Sequence, residues 1–250
     1  MHEAGTARWT RCWTPRRSGA VRLICFPWAG GSAAAFRPMA QRLPGLEVWT
    51  VEYPGRGSRE AEAALGDVGA LAQGCAPELE EVLDEPFAVL GYSLGALVGY
   101  EWVRGLAARG HRPPRHFFAC ARRAPHLPPA VPFLHRLGDG ELVAALGTRF
   151  DAVPDLLLGE PELLSRFLAP LRADLRAVET YAYAPGPRIA CSLTAVGGGR
   201  DGEVSTDTLA AWSAHTEGPC AVEVLADAGH FFLGEPRLHA LVVEALDRSA

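Results

Sequence analysis

The chain has no lysine: all 24 of its basic side chains are arginine. That excludes a Schiff-base lysine, a phosphate-binding loop of the G-x-x-x-x-G-K-[ST] kind and a Ser-Lys dyad. G-x-G-x-x-G is also absent, so a dinucleotide cofactor is not expected. No uninterrupted apolar run is long enough to span a bilayer. The first residues lack a basic segment followed by an apolar core, which predicts no secretion signal, a cytoplasmic location and no membrane partner. The six cysteines are scattered through apolar runs. They lack the close spacing of a metal or redox motif, so free, mostly buried thiols and no metal are expected. A net charge of −5 argues against nucleic acid. There is no internal repeat or low-complexity segment.

What is present is an α/β pattern. Strand-like runs at 21–27, 46–53, 87–92, 115–121, 191–197 and 220–226 alternate with helix-like stretches at 33–43, 67–84, 94–109, 205–215 and 236–247. Alternation of this kind predicts a doubly wound, mostly parallel sheet, with residues 9–14 as an antiparallel edge strand. The 250 residues suit a single α/β domain with one insertion. That insertion spans about 125–187, with helical pieces at 140–147, 160–168 and 171–182 divided by Pro and Gly. Its apolar positions (Leu156, Leu157, Leu158, Leu163, Leu164, Phe167, Leu168) either pack onto the domain or form the inner face of a mobile lid.

Gly91-Tyr92-Ser93-Leu94-Gly95 reads G-x-S-x-G, with an apolar strand before it and a helix after it. Strand, tight turn and helix are the context of a nucleophile elbow, and a chance match would lack it. The glycines keep side chains out of a turn pressed between strand and helix. A serine needs a base and the base an orienting acid, which α/β-hydrolases supply in the order Ser, Asp/Glu, His. Asp201 and His230 follow in that order, each just past the end of a strand. Asp227 competes as the acid, but it lies only three residues before His230. For an oxyanion hole the expected backbone donors are Leu94, after the serine, and Ala29, in the small-residue turn Trp28-Ala29-Gly30-Gly31-Ser32.

Phe26-Pro27-Trp28-Ala29-Gly30-Gly31-Ser32 resembles the F-P-[YH]-A-G-G-[SG] block of the type II thioesterases of polyketide and nonribosomal peptide synthesis. Further blocks resemble that family in the same order. They are residues 54–59 (P-G-R-G-S-R), 122–126 (R-R-A-P-H), 171–174 (L-R-A-D), Tyr181 with Tyr183, 198–201, and 229–233 (G-H-F-F-L). The resemblance implies an α/β-hydrolase fold, Ser93, Asp201 and His230 as a triad, and Ala29 with Leu94 as the oxyanion hole. It further implies acyl or peptidyl carrier protein domains, and small acyl thioesters, as partners and substrates. No cofactor is implied, because phosphopantetheine arrives on the substrate. Tyr92, Leu94 and Trp28 depart from the family's usual His, Met/Phe and Tyr/His. Trp28 and Tyr92, with Leu164 and Phe167 of the insertion, are candidates to shape the acyl pocket. Docking on an acidic carrier calls for a local arginine patch, with Arg56, Arg59, Arg122 and Arg123 as candidates. Alternative functions are a releasing or cyclising acyltransferase and a general carboxylesterase or lipase. A non-catalytic carrier-binding module is disfavoured by the intact triad positions.

Overall fold

The computed structural model describes residues 8–14, 18–129, 133–150 and 160–248. The core strands are β2 (Arg22–Phe26), β3 (Glu47–Val51), β4 (Phe87–Tyr92) and β5 (His116–Cys120), and every residue in them is buried. Strands buried from end to end and mostly apolar, with Arg22, Glu47, Thr50 and His116 as the polar exceptions, suit a parallel sheet covered on both faces. β1 (Thr10–Cys12), β6 (Ser192–Gly198) and β7 (Cys220–Leu225) complete a seven-stranded sheet of order β1-β3-β2-β4-β5-β6-β7. All its pairings are parallel except β1 on β3, so the expected antiparallel edge strand is present.

Alternate side chains of each strand enter opposite layers. Ile24 and Phe26 face α2 (Val68–Glu80) and α3 (Leu94–Ala108), packing with Leu71, Leu97 and Trp102. Leu23 and Cys25 face α1 (Arg37–Arg42) and the C-terminal helix Pro236–Asp247, packing with Met39, Leu238 and Val242. β3 lies on one side of β2 and β4 on the other. The carboxyl ends of β2 and β4 therefore flank a topological switch point, where doubly wound sheets open a crevice. This is the α/β-hydrolase fold. Cys25, Cys75, Cys120 and Cys191 are buried, and all six cysteines are free. Among the described residues, no helix is long and apolar enough to cross a membrane.

Between β5 and β6 lie α4 (Asp139–Phe150) and α5 (Pro161–Glu179). The sequence pattern divided α5 into two pieces at Pro170, but it is one helix with that proline inside. A proline in a helix interior costs about 3 kcal/mol. Here it is outweighed by one uninterrupted face, since Leu168, Leu171 and Leu175 pack at helical spacing against Leu134, Leu142 and Leu146. Leu156, Leu157 and Leu158 lie outside the described residues. Two other helices begin or end in 3-10 turns: Ala33–Phe36 precedes α1, and Ala211–His215 follows α6 (Thr206–Ala210).

Candidate active site

Ser93 is the residue between β4 and α3, with φ 52° and ψ −109°. The residues two positions to either side of it must be glycine. A Cβ on Gly91 would stand 2.4 Å from Ala96 Cα, and one on Gly95 would stand 2.0 Å from Phe26 O. The sharp elbow thus comes from the close approach of α3 to β2, and it lifts the hydroxyl to the carboxyl edge of the sheet.

Asp201 and His230 arrive on the loops after β6 and β7. Those loops are joined by the Arg200 N–H donating to Ala228 O at 2.9 Å. The Asp201 carboxylate is fully buried. Its Oδ1 accepts from the Glu203 N–H at 2.9 Å, and its Oδ2 lies 2.8 Å from His230 Nδ1. An ionised carboxylate only accepts, so the imidazole proton sits on Nδ1. Nε2 is left as an acceptor, 3.4 Å from Ser93 Oγ. That last contact is long, as such bonds often are without substrate. Asp227 is excluded as the acid by its position: its side chain is 91% exposed and pairs with Arg200 at 2.7 Å.

Tyr92 was a candidate to shape the pocket, but it does not line the cavity beside Ser93. It is fully buried beneath it. Its hydroxyl donates to His230 O at 2.6 Å and accepts from the Phe232 N–H at 2.7 Å. Burial raises the phenol pKa well above its ordinary value, so the group stays protonated and can donate. Tyr92 therefore clamps the histidine loop. A phenol replacing the family's imidazole was visible in the sequence; its partners, 138 and 140 residues away, were not.

The cavity has a volume of about 200 Å³ and a mostly apolar wall. Trp28, Phe150, Phe167, Leu171 and Phe231 line it with Ser93 and His230. Trp28 meets Phe231 edge-on at 5.6 Å, and the Phe150 ring lies 4.9 Å from that of His230. Trp28 and Phe167 thus occupy the expected positions. Leu164 does not line the cavity and packs instead on the leucine cluster of α4 and α5.

Ala29 shares the cavity wall with Ser93. Leu94 is the first residue of α3, its side chain is buried, and it offers only its backbone here. Neither the Ala29 nor the Leu94 N–H has a partner among the described residues. Asp174 of α5, which the sequence offered only as part of a motif, holds the loop bearing Ala29. Its carboxylate accepts from the Gly30 N–H at 2.8 Å and forms a bidentate pair with buried Arg56.

That pairing corrects the expected docking patch. Arg56 is consumed by Asp174. Arg59 is buried, donates to Glu62 and to Glu52 O, and stacks over Trp9 at 3.9 Å. Arg122 lines the cavity, and Arg123 donates to Pro128 O and Glu203 O. None of the four stands as a free surface cation.

A hydroxyl hydrogen-bonded to an imidazole that is itself held by a buried carboxylate can attack a carbonyl carbon. Two free N–H groups beside it can stabilise the resulting oxyanion. Comparison with known proteins agrees with that chemistry. The family model for the thioesterase domain matches residues 21–249. The probable cadicidin biosynthesis thioesterase of Streptomyces griseus is 38% identical over 228 residues, covering 91% of this chain and 62% of that protein. The chain thus spans less than two thirds of that relative. The thioesterase PikA5 of Streptomyces venezuelae is 36% identical, over 91% of this chain and 80% of its own length. The structure of the type II thioesterase BorB from the borrelidin biosynthetic cluster superposes with a TM-score of 0.87 at 36% identity, covering 95% of this chain and 97% of that one.

Proposed function

The chain belongs to the thioesterase domain family, and from that premise we propose that it is a serine thioesterase acting within polyketide or nonribosomal peptide synthesis. Its substrates are stalled or aberrant acyl groups on the phosphopantetheine arms of acyl or peptidyl carrier domains. The observation that carries this reading is the Asp201–His230–Ser93 hydrogen-bonded chain opening onto an apolar cavity. Relatives named as thioesterases of antibiotic biosynthesis, and the type II thioesterase BorB, support the pathway class.

In the first step Ser93 Oγ attacks the thioester carbonyl while His230 Nε2 takes its proton. The oxyanion is held by the Ala29 and Leu94 N–H groups. The pantetheine thiol leaves with the proton from His230. Water, deprotonated by the same imidazole, then releases the acid and restores Ser93. Asp201 fixes the tautomer throughout and stabilises the imidazolium. These steps draw on protein groups and water alone.

The single domain carries its insertion over the site as a lid. Leu171 and Phe167 of α5 would meet a Cβ at Gly30 at 3.1 and 3.8 Å, and Asp174 ties the same helix to the Ala29 loop. A pantetheine arm must pass beneath these helices, so the lid opens or leaves a channel. The reading places the protein in the cytoplasm beside its synthase.

The test compares release of one acyl group from a carrier protein, from coenzyme A and from an oxygen ester. The expected order of kcat/KM is carrier, then coenzyme A, then ester. Preference for the oxygen ester would replace this reading with a general esterase. Transfer of the acyl group to a hydroxyl or amine rather than to water would replace it with an acyltransferase.

A further inference from the structure

Among the described residues, two other than glycine have positive φ: Ser93 at 52° and Ala121 at 51°. They lie side by side at the carboxyl ends of β4 and β5, where the Ser93 N–H donates to Cys120 O at 2.8 Å. Left-handed backbone is costly for an L residue and persists where its surroundings impose it, most often at functional sites. At Ser93 the strain aims a hydroxyl. At Ala121 it aims the next residue, Arg122.

The backbone around Arg122 is fixed on three sides. Ala121 N–H donates to Val196 O at 2.8 Å, and Ala124 N–H donates to Thr208 O at 3.1 Å. Arg122 O accepts from Trp212 Nε1–H at 2.8 Å. So held, the Arg122 side chain joins the wall of the cavity that contains Ser93. Its Nε is buried without a partner, and among the described residues the guanidinium forms no ion pair. Burial, with Arg123 beside it, pushes the pKa of the group down to about 10.

The other charged groups on that wall are all committed. Arg149 pairs with Glu203 at 3.9 Å, and Arg123 is bound to two loop carbonyls. The Glu179 carboxylate accepts from the Leu134 N–H at 2.7 Å, the His135 N–H at 3.0 Å and the His135 ring. The Arg122 side chain is half-buried with its Nε unpartnered, and Glu179 and Glu203 act on it only through space, so its hydrogen-bonding fork stays open to an anion. Its planar fork matches a carboxylate with two parallel bonds, which a neutral carbonyl cannot supply.

We propose that the acyl cavity is a site for short acyl groups carrying a terminal carboxylate, with Arg122 as the residue that reads it. The substrate class is the half-thioester of a dicarboxylic acid. Arg122 lies two residues beyond β5, next to the strand that bears Ser93, and the two side chains line one cavity of about 200 Å³, which limits the acyl chain joining carboxylate and thioester to a short one. This inference rests on the thioesterase reading of Ser93 and names the acyl group that the same site prefers.

The test compares succinyl and butyryl thioesters of N-acetylcysteamine, chains of equal carbon count, on the wild type, Arg122→Met and Arg122→Lys. The wild type is expected to favour succinyl. The succinyl-to-butyryl ratio of kcat/KM should fall roughly 10-fold or more in Arg122→Met and recover in part in Arg122→Lys. An unchanged ratio, or a wild-type preference for butyryl, overturns the proposal; the wild-type comparison decides even if a variant fails to fold. Calorimetry with free succinate and butyrate on Ser93→Ala protein needs no turnover. Succinate binding that disappears in Ser93→Ala/Arg122→Met supports the site even if neither thioester is hydrolysed, an outcome that would defeat the thioesterase reading alone. Hydrolysis of butyryl with no Arg122-dependent succinate binding defeats the carboxylate site and leaves the thioesterase reading intact.

Discussion

Replacing Tyr92 by Phe removes one oxygen from the fully buried layer beneath the site and keeps the ring. That oxygen donates to His230 O and accepts from the Phe232 N–H, at 2.6 and 2.7 Å. Both backbone groups lose their partner together. Each buried group left unpaired costs about 1–3 kcal/mol, so the variant should be destabilised by about 2–6 kcal/mol. The effect on rate follows from geometry. His230 Nε2 is already 3.4 Å from Ser93 Oγ, and a displacement of about 1 Å in a reacting group costs on the order of 100-fold. Relaxation of the loop should therefore lower kcat by roughly 10-fold to 100-fold. KM should hardly move, because Tyr92 does not line the cavity. Steady-state hydrolysis of a small acyl thioester, with urea unfolding of the same samples, checks both figures. A Tyr92→Phe protein with wild-type kcat and a lowered urea midpoint would refute the clamp and leave the phenol a packing group.

Asp201→Asn should lower kcat by about 10³-fold to 10⁴-fold by favouring the wrong imidazole tautomer, whereas exposed Asp227→Asn should leave kinetics within about twofold; the reverse pattern would overturn the assignment of the acid. Gly95→Ala forces a Cβ to within 2.0 Å of Phe26 O and should prevent stable folding, while Gly147→Ala meets nothing within 4 Å and should raise stability by about 0.5–1 kcal/mol, both read by urea unfolding. His116 and His215 are held down to about 4 from the ordinary 6.5, chiefly by burial, with Arg248 adding at the first and His126 and Arg104 at the second. The unfolded chain binds their protons first, so this stability is complete above pH 6.5 and is lost as pH falls towards 4. Each site contributes on the order of 3 kcal/mol, and unfolding free energies that stay level between pH 7.5 and pH 4.5 would contradict it.

The sheet was legible because buried parallel strands are mostly apolar along their length, as β2 to β5 are apart from Arg22, Glu47, Thr50 and His116. The elbow was legible because the two glycines, Gly91 and Gly95, and the serine between them fall within five consecutive residues, although the contact that requires Gly95 is with distant Phe26 O. Asp201 and His230 could be ordered along the chain and Asp201 preferred over Asp227 by spacing, but the physical reason for the preference, that one carboxylate is buried and the other exposed, needed the fold. The arginines show where sequence gives out. Charge is written in the chain, but direction is not: Arg56 turns to Asp174, 118 residues away, and Arg122 turns inward because Ala121 adopts a conformation that its residue type does not advertise. Pro170 misled the reading of α5 because the leucine face that carries the helix through it is a tertiary effect. Leu164 misled for a related reason, since helical spacing shows that a side chain faces inward but not which of two neighbouring surfaces it meets.

The central claim is that Ser93 takes up the acyl group of a thioester. Intact-protein mass spectrometry on rapidly quenched mixtures of the protein with an acyl-loaded carrier domain tests it most directly. The account predicts a transient mass increase equal to the acyl group, mapping to the peptide that contains Ser93, with free acid accumulating afterwards. In Ser93→Ala the adduct should vanish and acid release should fall on the order of 10³-fold or more. Acid release at the wild-type rate from Ser93→Ala, or an adduct on any other residue, would contradict it.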